Sequence, residues 1–228
     1  MATLFGDTDG TLSDSQKGKH QVLIGTDEFN NLIFGDAGVS IIDSARGGND
    51  TLTGADNASF GTGTINQLFG DTETMANSAK GGNDTLTGGA MRGMGDAFVD
   101  NQLFGDAAVM LNFAKGGDDT LTGGDNFGPG DRTAGRDFNF LVGDASQMFD
   151  FAKGGNDTLT GGDASNGSFQ ARVDNALFGD GETMFNFAKG GNDTLTGGDN
   201  RGVIGVVFNE LFGDADKCSI PPRAVTTS

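Results

Sequence analysis

The chain has no tryptophan, no tyrosine, one cysteine, one histidine and three prolines in 228 residues. A lone Cys218 excludes a disulfide framework and a thiolate metal cluster. A lone His20 leaves no imidazole pair for zinc, and no nucleophile stands with a base, so the sequence does not read as an enzyme. No segment approaches the roughly 18 apolar residues of a membrane span, and residues 1–7 lack the basic and apolar regions of a Sec-type signal. The expectation is a chain with no membrane span. Positive charge is also scarce, with 14 Lys and Arg against 32 Asp and Glu and a net charge of -18. That balance argues against nucleic acid or an anionic membrane as partner and favours cations.

What is present is glycine, 41 residues of it, in a repeated phrase. Gly-Gly-Asn-Asp-Thr-Leu-Thr-Gly occupies residues 47–54, 81–88, 154–161 and 190–197, with a Gly-Gly-Asp-Asp variant at 116–123. A second phrase, Asn-x-Leu-Phe-Gly-Asp, begins at Asn66, Asn101, Asn175 and Asn209, with looser copies at Asn31 and Asn139. Successive markers from Asn31 to Asn209 are 35, 35, 38, 36 and 34 residues apart. The variation falls mainly after Thr-Leu-Thr-Gly, longest at residues 123–138, as in a surface loop. Units this rich in glycine cannot supply the long amphipathic helices of the helical repeat families, so a β-solenoid is left.

Each unit offers two short strands, Thr-Leu-Thr and the Leu-Phe pair. Alternation turns Leu52, Leu86, Leu121, Leu159 and Leu195 inward, and likewise Leu68, Leu103, Leu177 and Leu211. It turns Phe34, Phe69, Phe104, Phe178 and Phe212 outward, where they need cover. The segment that follows, such as residues 106–116, opens with Asp and closes with Gly, and it spaces Met110 from Phe113 as one face of a short helix or tight turn would. Residues 1–30 read as a degenerate N-terminal capping repeat, with Gln21 in place of the acidic residue. Residues 31–214 read as the repeat array, and residues 215–228 as a tail that breaks the pattern.

Stacked coils sit about 4.8 Å apart, so equal positions form columns. In the main column, Asp50, Asp84, Asp119, Asp157 and Asp193, neighbouring charges repel by roughly 3 kcal/mol at an effective dielectric of 20 and require a cation between them. Carboxylate and carbonyl oxygens on flexible glycine turns suit Ca²⁺ rather than Mg²⁺ or zinc. A second acidic column, Asp7, Asp36, Asp71, Asp106, Asp144, Asp180 and Asp214, reads either as turn capping or as a second row of ligands.

The unit resembles the nonapeptide Gly-Gly-x-Gly-x-Asp-x-U-x of the repeats-in-toxin (RTX, hemolysin-type) family, with U a large apolar residue. Gly82 matches its fourth position, Asp84 its sixth and Leu86 the U, and the likeness runs over about residues 17–214. The resemblance implies a right-handed parallel β-roll, here with expanded coils of about 35 residues and short helical or turn inserts. It implies several Ca²⁺ ions held by the Asp carboxylates and by turns containing Gly48, Gly82, Gly117, Gly155 and Gly191. It also implies export by type I secretion, hence an extracellular, secreted protein. Two features depart from the family: each unit is nearly twice the length of the family's coil, and Asn replaces Asp in the second phrase. An Asn column can satisfy itself by ladder hydrogen bonds without metal.

The expected function is therefore a secreted calcium-binding repeat protein, a monomer whose folding is driven by a ladder of Ca²⁺ ions. The alternative is an extracellular module that presents its outward threonines and insert loops to polysaccharide, a cell surface or ice. Arg92, Arg132, Arg136, Arg172 and Arg201 in the inserts read as solvated charge or as a grip on an acidic polysaccharide. Arg46, Lys80, Lys115, Lys153 and Lys189 read as a stripe that neutralises the carboxylates.

Overall fold

A computed structural model describes residues 1–26, 29–128, 135–165, 171–201 and 205–215, with the backbone of 217–219. The chain winds into an all-β solenoid of three parallel sheets, and no helix occurs among the described residues. The first sheet stacks seven strands, among them Gly63–Phe69, Phe98–Phe104, Arg136–Val142 and Arg172–Phe178. The second also has seven, including Ala37–Ile41, Thr72–Met75, Ala107–Met110 and Ala145–Met148. The third has six, the Thr-Leu-Thr strands and Val22–Ile24. Pairing is in register from coil to coil, with Asn66 beside Asn101, Leu103 beside Leu141 and Thr120 beside Thr158.

The inward leucines form one continuous stack. Ile33, Leu52, Leu68, Leu86, Leu103 and their successors are fully buried between the first and third sheets. Each contributes roughly 2 kcal/mol relative to an exposed side chain. Leu195 is only partly buried and Leu211 is 42% exposed, since both lie in the last coil. A second stack of alanine and methionine, with Met75, Met110, Met148 and Met184, fills the space behind the second sheet. In the phenylalanine column Phe34 stacks on Phe69 at 5.0 Å and Phe69 on Phe104 at 4.8 Å; Val142 interrupts the stack, Phe178 resumes it on Phe212 at 4.8 Å, and Phe34, Phe69, Phe104 and Phe178 are 4–8% exposed.

The segment expected to cover that column as a short helix or tight turn is instead a strand of the second sheet followed by a turn, and from that strand Ala108 packs against the rings. Residues 107–110 form a strand whose pairing passes over Ala108, so that Ala107 and Met110 are both buried. This three-residue spacing of buried side chains mimics one face of a helix. The strand ends at Met110, and two residues on Asn112 takes the left-handed conformation at φ 61, as do Asp43, Asn77, Asp150 and Asn186 in the same place. Asx residues tolerate that region, and no α-helix passes through it. Phe113, expected beside Met110, points to solvent and is 65% exposed.

The N-terminal repeat contributes Ala2–Phe5, Thr11–Leu12 and Val22–Ile24 to the three sheets. Of the expected tail, Lys217–Ser219 adds a strand to the second sheet, while 216 and 220–228 lie outside the described residues.

Candidate metal centre: two facing columns of aspartate

After each first-sheet strand the chain turns at Gly-Asp. A Cβ on Gly70 would meet the carbonyl of Gly105 in the next coil and Oδ2 of Asp84, so the position accepts only glycine. The aspartate that follows points inward, and Asp36, Asp71, Asp106, Asp144 and Asp180 are all fully buried. Each carboxylate accepts the amide of the second glycine of the coming turn: Gly48 N donates to Asp36 at 2.7 Å, Gly82 N to Asp71 at 3.1 Å, Gly117 N to Asp106 at 3.1 Å, Gly155 N to Asp144 at 2.9 Å and Gly191 N to Asp180 at 2.6 Å. The turn is thereby fastened from inside.

The Gly-Gly-x-Asp turn brings the second column. Oδ1 of each of these aspartates accepts the amide of its counterpart in the preceding coil, with Asp50 N donating to Asp84 at 2.5 Å, Asp84 N to Asp119 at 2.6 Å, Asp119 N to Asp157 at 2.7 Å and Asp157 N to Asp193 at 2.9 Å. At the N-terminal end Gln21 N donates to Asp50 at 2.6 Å. The opposite oxygens, Oδ2 of Asp50, Asp84, Asp119 and Asp157, are buried without a partner. So are Oδ1 of Asp36 and Oδ2 of Asp144 and Asp180.

The two columns face one another. Burial raises the carboxyl of Asp71 well above its ordinary value, and the next contribution is the charge of Asp84; Asp106 stands in the same relation to Asp119, and Asp144 to Asp157. Burial pushes Asp50 and Asp157 to about 8, Asp180 to about 7 and Asp36 to about 6. Asp84 and Asp119 are displaced upward by the same causes, and Asp193 also upward. The neighbouring charges that raise these carboxyls are other aspartates. In the last coil Asp180, Asp193 and Asp214 each offer a carboxylate oxygen within 4.8 Å of the others, a geometry that can hold a metal ion.

Asparagine in the second phrase behaves differently. Asn101 Nδ2 donates to Asn139 Oδ1 at 2.9 Å and to Gly89 O at 3.0 Å, while its Oδ1 accepts Gly89 N at 2.9 Å and Asn66 Nδ2 at 2.9 Å. The ladder continues through Asn139, Asn175 and Asn209. This column is closed on itself, whereas the aspartate columns leave oxygens bare.

The expected neutralising stripe does not neutralise. Arg46, Lys80, Lys115, Lys153 and Lys189 are exposed, the columns are buried, and among the described residues no carboxylate lies in ion-pairing range of them. Of the insert arginines, Arg92, Arg172 and Arg201 are ion-paired to Asp56, Asp174 and Asp163. Arg136 is exposed, and Arg132 lies outside the described residues.

Two features had no counterpart in the sequence reading. Asp137 is fully buried with a bare Oδ2, in an inward position that carries Val99 and Val173 in the adjoining coils. The signal was an acidic residue interrupting that apolar column. On the outer face of the first sheet, a groove of about 410 Å³ opens where Ala176 stands between Phe140 and Glu210.

Comparison of the chain with protein-family models, with characterised proteins and with solved structures gives no match, so the role of the columns has to be read from their own geometry.

Proposed function

We propose that this is a calcium-binding repeat protein of the RTX type, in which ions seated between the two aspartate columns complete the fold. The observation that carries this is the row of buried, unpartnered carboxylate oxygens repeated in coil after coil, beside an Asn column that lacks any. Unpaired buried charge costs several kcal/mol per ion unless a counter-charge is present. A hard divalent cation bound by oxygens alone meets that requirement, and the loose ring of carboxylates and turn carbonyls suits the six to eight ligands of Ca²⁺. Asp36, Asp71, Asp106, Asp144 and Asp180 would bind from one side and Asp50, Asp84, Asp119, Asp157 and Asp193 from the other, over turns held by Gly48, Gly82, Gly117, Gly155 and Gly191.

When bound, calcium supplies charge compensation and a cross-link between successive coils. The protein's own residues set the spacing, exclude water and aim the oxygens. Secretion accords with this role, because a fold that depends on calcium is best completed where calcium is abundant. Circular dichroism with and without chelator, together with the number of ions bound per chain, tests the proposal. A chelated chain that keeps its full β signal would rule out metal-driven folding. The adhesive alternative draws its support from another part of the surface than the threonine ranks.

A further inference from the structure

Lys17, Arg46, Lys80, Lys115, Lys153 and Lys189 are bridged backbone to backbone, each to the next, and so form one straight column of cations along the solenoid. All six are exposed, and none has an ion pair or a side-chain hydrogen bond among the described residues. Six like charges at the strand spacing of about 4.8 Å oppose one another, and no ion pair among the described residues offsets that repulsion. Two residues before the last three lysines stand Phe113, Phe151 and Phe187. They are 65%, 46% and 54% exposed and stack at 5.3 and 5.0 Å. Stacking covers both faces of Phe151 and one face each of Phe113 and Phe187, so along its length the row offers ring edges, which carry the positive end of the quadrupole. Asp14, Asp43 and Asp150 lie three residues before the column and Asp118 three after it, but most of the flanking positions are neutral, being Asn77, Asn112 and Asn186 on one side and Asn49, Asn83, Asn156 and Asn192 on the other.

We infer that this face is a docking track for a linear acidic polysaccharide, a chain of carboxylated sugars laid along the solenoid axis. One cation per coil matches a polymer with one carboxylate per sugar, and the phenylalanine edges give its rings an apolar rail. A nucleic acid fits less well. Its phosphates follow at about 3.4 Å per strand along a duplex axis, closer than the coil spacing of about 4.8 Å, and its bases need free aromatic faces, of which the stacked row offers only its two ends. The track exists wherever the coils are folded, whatever ion fills their interior.

The test uses the full chain in calcium, or in whichever ion restores the complete β signal. That signal is read first, so a failure of metal-driven folding is distinguished from a failure of binding. Short galacturonate oligomers are then titrated calorimetrically after free ion is removed. Binding should weaken as salt rises, and Lys80→Gln/Lys115→Gln/Lys153→Gln should lower affinity about tenfold. The matching Lys→Arg triple should keep the affinity. Phe151→Ser, which places there the residue found at Ser44 and Ser78, should weaken binding without changing its salt dependence. Arg201→Gln in the inserts should leave it unaltered. The inference fails if the parent does not bind, if the glutamine triple binds as the parent does, or if single-stranded DNA or anionic phospholipid vesicles bind more tightly than the oligomer.

Discussion

Replacing Asp119 by asparagine separates the two ways in which a buried carboxylate column can be held. Asp119 is 2% exposed; its Oδ1 accepts the amide of Asp84 at 2.6 Å, and its Oδ2 has no partner. Asparagine keeps the shape and the accepting oxygen but removes one charge. If a cation sits between Asp119 and the facing Asp106 and Asp144, the variant loses a negative ligand from a site where charges about 5 Å apart interact by roughly 3 kcal/mol. Breaking a buried charge pair costs about 3–5 kcal/mol, and the calcium-loaded chain should lose that much. If protons hold the column instead, the same change relieves a burden and should be neutral or stabilising. Urea unfolding followed by circular dichroism, in calcium and in chelator, reads the difference. The slopes must be compared as well as the midpoints, because a repeat array need not unfold in two states. The expected result is a lower midpoint and fewer bound ions in calcium, with no loss in chelator. A variant as stable as the parent in calcium, with its full complement of ions, would refute the reasoning.

The metal-free chain should also respond to pH in a definite direction. Asp36, Asp50, Asp157 and Asp180 sit at about 6, 8, 8 and 7 when folded, against an ordinary 3.8, so the folded chain keeps protons that the unfolded chain releases. Stability is then fully present below about pH 4 and is lost as pH rises toward 8; in chelator the β signal should decline across that window, and a signal that grew would contradict the assignment. Asn101→Asp removes the donors to Gly89 and Asn139 and adds a buried charge, so it should cost more than about 1–3 kcal/mol in thermal or urea unfolding without raising the number of ions bound. Gly82→Ala drives a methyl into the carbonyl of Gly48, and hydrogen exchange at residues 47–54 and 81–88 should accelerate while the distant coils keep their protection.

The repeat made much of this architecture legible, because each position recurs and its column can be inferred from one unit. Inward leucine, outward threonine and the self-satisfied Asn ladder all follow from alternation plus stacking. The second sheet did not follow. Its strands bury residues three apart, and only the left-handed Asx at Asn112 and its counterparts distinguishes such a strand from a helical turn. The facing of the two aspartate columns was hidden for a similar reason. Asp71 and Asp84 are thirteen positions apart in sequence, and what brings them together is the closure of that unrecognised sheet. The lysine column is visible as a pattern in the sequence, but nearness in sequence is not pairing: Lys80 stands four residues before Asp84, yet the glycine turn leaves Lys80 exposed and buries Asp84.

The contrast between the Asn and Asp columns carries a consequence for cooperativity. In a solenoid each coil touches only its neighbours, so stability is the sum of coil terms and interface terms. The Asn ladder, the leucine stack and the phenylalanine stack supply interface energy in any solvent. The aspartate columns supply it only when their bare oxygens are compensated, and otherwise subtract from it. Since almost every interface carries the same bare oxygens, withdrawing a cation that compensated them would weaken all of them together rather than one at a time. A single substitution such as Asp119→Asn weakens chiefly the interfaces on either side of its own coil. Chelation should therefore unfold the array in one broad cooperative step, while the single variant should split the calcium-loaded transition into two parts on either side of residue 119. Unfolding of that variant in calcium as one unbroken transition at the parent's midpoint would show that the interfaces do not depend on the columns.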